Sequence, residues 1–274
     1  MEISNDQLAY HANEIRTHII RMISHAHSGH PAGALGMADV FTSLYFSIAH
    51  VDPEHPWKDD RDRILVSNGH IAPVWYATLA ERGYFLKDEL LSLRALGSRL
   101  QGHPVFRGLP GVENSSGSLG QGIGQAVGVA LGLRMKKKAN HVFCVVGDGE
   151  QQEGSVWEAY WFASTRTLSN LTIIVDRNYI QSEDSTEHVL PLDPFIEKLT
   201  AFGLHVISCD GHDFSAIQSA FETARAFHKG PTAIVFRTIP GKGVSFMENT
   251  AKWHAEPPTD EQAALALKEL ESHE

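Results

Sequence analysis

Three features of the 274-residue sequence predict an α/β fold with three layers, α/β/α, around a mostly parallel twisted sheet. Short apolar runs alternate with stretches of helical periodicity, the order expected of a parallel sheet covered on both faces. Two of those runs, "VFCVV" and "LTIIV", are almost continuously apolar, as strands buried on both sides are. No internal repeat and no low-complexity linker interrupts the pattern, so residues 1–274 are read as a single domain.

In chain order, helical periodicity predicts leading helices over 6–25 and 35–48. The first apolar run, 63–67, is read as a strand. A stretch rich in Gly, Pro and His follows at 97–118, long enough for a loop inside a compact domain to be functional or mobile. The helix predicted over 120–138 is rich in small residues suited to close packing on the sheet. It ends at Lys136, Lys137 and Lys138, solvated charges favoured by the helix dipole. Its Gly122, Gly124 and Gly128 resemble a dinucleotide-binding pattern, but a polar loop precedes them where that pattern needs a strand. Strand 141–147, helix 155–166 and strand 171–176 come next; Trp157, Trp161 and Phe162 have the spacing of packing residues. Strand 205–209, helix 213–227, strand 232–237, an irregular stretch 240–258 and a last helix 260–270 complete the chain.

Composition narrows the functional classes. A formal charge of -10 with one basic cluster argues against a nucleic-acid partner. No apolar run reaches the roughly 20 residues of a membrane-spanning helix, and the first twenty residues lack a signal-peptide pattern. Cys144 and Cys209 both lie in apolar runs, as reduced, packed thiols do. The expectation is a soluble cytoplasmic protein.

The chemistry concentrates at "FCVVGDGEQQEGSVWEA", where an apolar strand stops at Gly147-Asp148-Gly149. In open α/β sheets ligands bind beyond the carboxyl ends of strands. "DRNYI", residues 176–180, ends the next strand, so Asp148 and Asn178 are expected to converge on one crevice. A carboxylate and an amide oxygen suit a hard cation such as Mg²⁺ or Ca²⁺. Mg²⁺ is rarely caged by protein alone, so two such ligands imply a phosphorylated cofactor as the remaining partner. Gly147 and Gly149 would let the backbone approach phosphate oxygens, and the N-terminus of the next helix would face the same anion. Taken alone, "GDG" reads equally as a tight turn with an Asp N-cap. Four histidines add to it from Gly- or Pro-flanked loops: His30, His70, His103 and His254. Imidazoles there can bind hydroxyls and phosphates and shuttle protons near neutral pH.

GDG followed thirty positions later by Asn178 resembles the thiamine diphosphate motif. "HSGHPAG", "ILVSNGH", "QGHP", "SSGSLGQGIGQAVG", "GDGEQQEG", "DRNYI" and "GKG" together resemble the N-terminal half of a transketolase, across nearly the whole chain. The resemblance implies the diphosphate-binding (PP-type) domain of the thiamine diphosphate-binding fold, and a transferase of carbohydrate metabolism in the pentose phosphate pathway. Such an enzyme moves a two-carbon ketol unit from a ketose phosphate to an aldose phosphate. It implies Asp148, Asn178 and the carbonyl of Ile180 as ligands of Mg²⁺, or Ca²⁺ or Mn²⁺ in its place, bridging to the cofactor diphosphate. His30, His103 and His254 resemble the catalytic histidines around the reactive carbon and the donor hydroxyls. His70 resembles a contact on the diphosphate side, and Gly117 and Leu119 the segment against the aminopyrimidine. Glu153 resembles an acid that communicates with a glutamate across a dimer interface, and Lys242 falls in a loop that closes over the cofactor. Three departures stand out: Ala32 for glycine, Ser118 for proline, and Arg177 with Tyr179 in a turn often written DDNGI. Tyr179 is expected to crowd the cofactor rim.

A full transketolase has a second domain that binds the aminopyrimidine, and this sequence ends soon after its last predicted helix. The expected partner is a separate chain carrying that domain, in an α₂β₂ heterotetramer with the cofactor at the α–β interface. The helices over 121–133 and 155–162 are expected to leave an apolar face exposed for it. Competing readings are a chain similar to 1-deoxyxylulose 5-phosphate synthase, one similar to the E1 α chain of 2-oxoacid dehydrogenases, or a non-catalytic cofactor-binding chain. The ketose is left open, a branched or sulfonated sugar included.

Overall fold

The computed structural model describes residues 3–182 and 184–272, so the chain ends, Met1, Glu2, His273 and Glu274, and Glu183 lie outside the described residues. The first helix, α1 (Asn5–Ala26), starts in a capping box. The Ser4 side chain accepts from the Gln7 N–H, and the Gln7 side chain accepts from the Ser4 N–H at 2.9 Å. Leu8, Ala12, Ile15, Ile19 and Ile23 form its buried stripe. His27, left-handed at φ 46°, ends it.

The helix predicted over 35–48 is three pieces and begins earlier: α2 (Pro31–Gly36), α3 (Ala38–Ser43) and a π-helical turn (Leu44–Ile48). Pro31 sits at the first turn, where its missing N–H costs nothing. Met37, at φ -89° and ψ 0°, breaks the run. Strand β1 (Arg63–Val66) leads into α4 (Ala72–Glu81), which periodicity does not reveal. "APVWYATLAE" is buried on all sides, so it has no polar face to mark it.

The other predicted elements fall within a few residues of their expected bounds: α5 (Gly122–Met135), β2 (Val142–Gly147), α6 (Gly154–Thr165), β3 (Leu171–Arg177), β4 (His205–Asp210), α9 (Phe214–Ala226), β5 (Thr232–Arg237) and α10 (Asp260–Glu271), while two short helices between β3 and β4, α7 (Thr186–Val189) and α8 (Phe195–Ala201), are not among the expected elements. Every strand pair is parallel, in the order β1-β2-β3-β5-β4. Alternate side chains serve opposite layers. Ile64, Phe143, Val145, Ile174 and Phe236 pack with α1, α4, α9 and α10. Leu65, Cys144, Val146, Ile173 and Val235 pack with α5, α6 and α8. β2 and β3 run side by side with Gly147 opposite Asp176, which brings the two motif-bearing tips together.

Candidate active site

A cavity of about 320 Å³ opens at the carboxyl ends of β2 and β3. Gly147, Asp148 and Gly149 line it from one tip, and Asp176, Asn178 and Ile180 from the other. Asp148 is 2% exposed. One of its oxygens accepts from the Gly149 N–H at 2.7 Å; the other accepts from the Tyr179 N–H at 2.7 Å and lies 3.4 Å from an Arg177 nitrogen. Burial pushes this carboxyl up to about 6, with Arg177 and the two amides pulling the other way. The Asn178 amide donates to Asp176 at 2.9 Å, and its oxygen accepts from the Ile180 N–H at 2.9 Å. A 3₁₀ turn, Gly149–Gln152, separates GDG from α6, which starts at Gly154, one residue from its expected start.

Across the cavity stand three histidines. The ring centres of His30 and His70 are 5.3 Å apart, those of His70 and His254 5.3 Å, and those of His30 and His254 5.8 Å. Burial lowers all three; the His30 imidazole falls to about 4 and that of His70 to about 3, with neighbouring histidines adding to the effect. At neutral pH each ring is therefore uncharged, with one donor and one acceptor nitrogen. His103 lies at an exposed edge, its ring against Gly117, where an added Cβ would meet it at 3.4 Å. Gly117 and Leu119 line the cavity.

The cavity has unmet polar demand. Among the described residues, His30 Nδ1, Asn68 Oδ1 and Gln181 Oε1 are buried without a hydrogen-bond partner, and all three residues line it. Together with the anionic Asp148 and the Asn178 oxygen, this donor set fits a divalent cation and a polar, phosphate-bearing ligand.

Residues 8–273 match the family described as transketolase, thiamine diphosphate binding domain. The chain belongs to the transketolase family. It is 39% identical over 264 residues to the 6-deoxy-6-sulfo-D-fructose transketolase subunit SqwG of Clostridium sp. (strain MSTE9), covering 96% of each. It is 36% identical over 265 residues to an apulose-4-phosphate transketolase subunit from Phocaeicola vulgatus, covering 97% of this chain and 94% of that one. The solved transketolase of Campylobacter jejuni superposes with a TM-score of 0.92 at 32% identity, over 98% of this chain and 43% of its own. The chain thus spans about two fifths of such full-length transketolases.

Within this transketolase-family chain, two acids that the sequence motifs do not single out hold the site together. Asp176 accepts from Thr238 Oγ1 and from Asn178, and burial pushes its carboxyl up to about 7. Glu150, 1% exposed, accepts from Ser67 Oγ, from the Gly120 N–H at 2.6 Å and from the Gly147 N–H at 3.1 Å, tying three loops together. A buried carboxylate needs such partners, and an acid closing an apolar run, as in "DRNYI" and "GDGE", is the available signal.

Glu153 lines the cavity as an exposed residue ahead of α6, and its side chain makes no hydrogen bond among the described residues. Lys242 does not line this cavity; it borders a separate depression with Arg16 and Glu248, 3.8 Å from the Glu248 carboxylate. The expectation that Tyr179 crowds the rim is not met. Tyr179 does not line the cavity; its backbone is left-handed at φ 64°, and its ring stacks 4.0 Å from the Arg177 guanidinium.

Proposed function

We propose that this chain is the diphosphate-binding half of a two-chain transketolase, acting in the cytoplasm with thiamine diphosphate and Mg²⁺. With a partner carrying the pyrimidine domain, it transfers a two-carbon ketol unit from a ketose to an aldose phosphate. The supporting observation is the cavity itself: Asp148 and Asn178 on one wall, and three uncharged imidazoles on the other. Asp148, the Asn178 oxygen and the Ile180 carbonyl would hold the metal and, through it, the diphosphate. His70 would contact the diphosphate side, Gly117 and Leu119 the aminopyrimidine. Bound there, thiamine diphosphate supplies the electron sink for carbon–carbon cleavage. His30 and His254, kept neutral by burial, would receive and return the proton of the donor hydroxyl, and His103 at the edge would orient the donor. Glu153 would face the partner.

The assembly is an α₂β₂ heterotetramer. In its favour, Trp161 and Phe162 on α6 are 68% and 41% exposed, and nothing stands within 4 Å of an added Cβ at Gly124 or Gly128 on the adjoining α5. The donor follows two relatives named for 6-deoxy-6-sulfo-D-fructose and for apulose 4-phosphate: a ketose phosphate or sulfonate, consumed in pentose phosphate or related carbohydrate metabolism.

The test pairs this chain with a pyrimidine-domain chain and assays xylulose 5-phosphate with ribose 5-phosphate, 6-deoxy-6-sulfofructose, apulose 4-phosphate, and pyruvate. Ketol transfer from any of the first three supports the reading; turnover of pyruvate alone overturns it. Asp148→Ala should weaken Mg²⁺-dependent cofactor binding by calorimetry at least 100-fold, about 2.7 kcal/mol. Undiminished affinity removes Asp148 from the metal.

A further inference from the structure

A second cluster of ligand-type side chains lies midway along α1, about two turns back from its cavity end. Glu14 and His18, one turn apart on α1, face Glu81, the last residue of α4. One ligand atom from each lies within 4.8 Å of the other two. The Glu81 side chain is only 5% exposed and that of His18 12%. His18 Nε2 is fully buried, makes no hydrogen bond, and sits 3.7 Å from a Glu81 oxygen. His11, a further turn back along α1, places Nδ1 3.0 Å from the other Glu81 oxygen. That is where an outer partner fixes the orientation of a ligating carboxylate.

The local charges leave this cluster incomplete. Lys87 places its ammonium against Glu81, but Glu14 forms no ion pair among the described residues. An ammonium has no acceptor to offer and answers only one carboxylate. A divalent ion would neutralise both and give the buried imidazole nitrogen its missing partner. One nitrogen and two carboxylate oxygens in a compact, partly buried set suit zinc or another first-row transition ion better than Mg²⁺ or Ca²⁺, which prefer all-oxygen shells.

We propose that Glu14, His18 and Glu81 form a metal-binding site for a divalent transition-metal ion of the zinc type, with water completing the tetrahedron on the open side. Lys87, whose side chain is 45% exposed, then swings out to solvent. The ion acts as a clip between two helices that each lead to the cavity. His30 follows the end of α1 at Ala26, and His70 precedes the start of α4 at Ala72. From His18 to Ala26 is about 12 Å along the helix, so the metal fixes the helices without touching the reacting groups.

The experiment uses the tag-free chain, stripped with chelator and held in excess Mg²⁺ to fill oxygen-only sites. Co²⁺ is titrated as the spectroscopic stand-in for zinc. One equivalent should bind with d–d bands of a four-coordinate nitrogen–oxygen site and no thiolate charge-transfer band, which excludes Cys144 and Cys209. His18→Ala and Glu81→Gln should each weaken binding at least tenfold, and Asp148→Ala should leave it unchanged. Zinc should raise the melting temperature of the wild-type chain and not that of His18→Ala. Glu14→Gln, at a half-buried position, supplies a second variant should His18→Ala fold poorly. Absence of Co²⁺ bands in the wild-type chain, thiolate bands, or binding undiminished in the variants overturns the site and leaves an ion pair between Glu81 and Lys87.

Discussion

Arg177 reaches Asp148 from the tip of β3 and holds Glu187 at 2.7 Å and Asp193 at 3.3 Å with its other terminal nitrogen. One guanidinium thereby fastens the turn that carries Asn178 to the segment behind it, and its planar fork suits several oxygens at once. The histidines opposite show how burial sets a charge state. In the unfolded chain His30 and His70 titrate near 6.5; folded, they drop to about 4 and about 3. The unfolded state therefore binds more protons between these values. Their contribution to stability is fully present above 6.5 and is lost as pH falls through the folded values. Melting temperatures recorded from neutral pH down to 4.5 should fall, and His30→Asn with His70→Asn should flatten that fall. An unchanged slope in the double variant would show that these rings are protonated in the fold.

Among the elements, α5 and α4 are opposite cases. α4 is buried on every side, with Trp75 fully enclosed and its indole N–H donating to Tyr45. α5 buries Gly122, Ile123, Ala126, Val127 and Ala130 while Gly124 and Gly128 face outward. Exposed glycine in a helix costs roughly 1 kcal/mol relative to alanine, so the strip makes sense as a surface for close approach of another backbone. Gly128→Leu should raise the stability of the isolated chain by about 0.5–1 kcal/mol in urea unfolding. It should also abolish assembly with the partner chain in size-exclusion chromatography. Assembly at wild-type affinity would move the interface elsewhere.

For the molecule as a whole, the loop running from β5 to α10 closes one side of the cavity. The Gly241 N–H donates to the Ala32 carbonyl at 2.8 Å, and Gly241 holds φ 80° with an added Cβ only 2.4 Å from the Met247 carbonyl oxygen. The same loop carries His254 to within 5.8 Å of His30, ring centre to ring centre. On the proposed reading this chain supplies the diphosphate end of the cavity, so magnesium pyrophosphate should stabilise the isolated chain. At a hundredfold excess over Kd the gain is about 2.7 kcal/mol, read as a rise in melting temperature, and Asp148→Asn should abolish it. No helix among the described residues is long and apolar enough to cross a membrane.

Strands and site motif were legible because each is local. "VFCVV" is apolar throughout and "LTIIV" apolar but for Thr172, and Gly-Asp-Gly closes the first of them within three residues. α4 was not legible, since periodicity detects a contrast between faces and a helix buried all round has none. The supporting acids Asp176 and Glu150 were hidden for a related reason: their partners, Thr238, Ser67 and Gly120, are distant in sequence. Sequence alone determined the strand–helix alternation and the family, and pointed to Asp148, Asn178 and the loop histidines as candidates for the chemistry. Only the tertiary structure decided that Lys242 and Tyr179 turn away, that three loop histidines form a triangle, and that Glu81 meets Glu14 and His18. Those outcomes depend on which non-local surfaces pack, and packing free energy is a property of the assembled layers, not of any one segment.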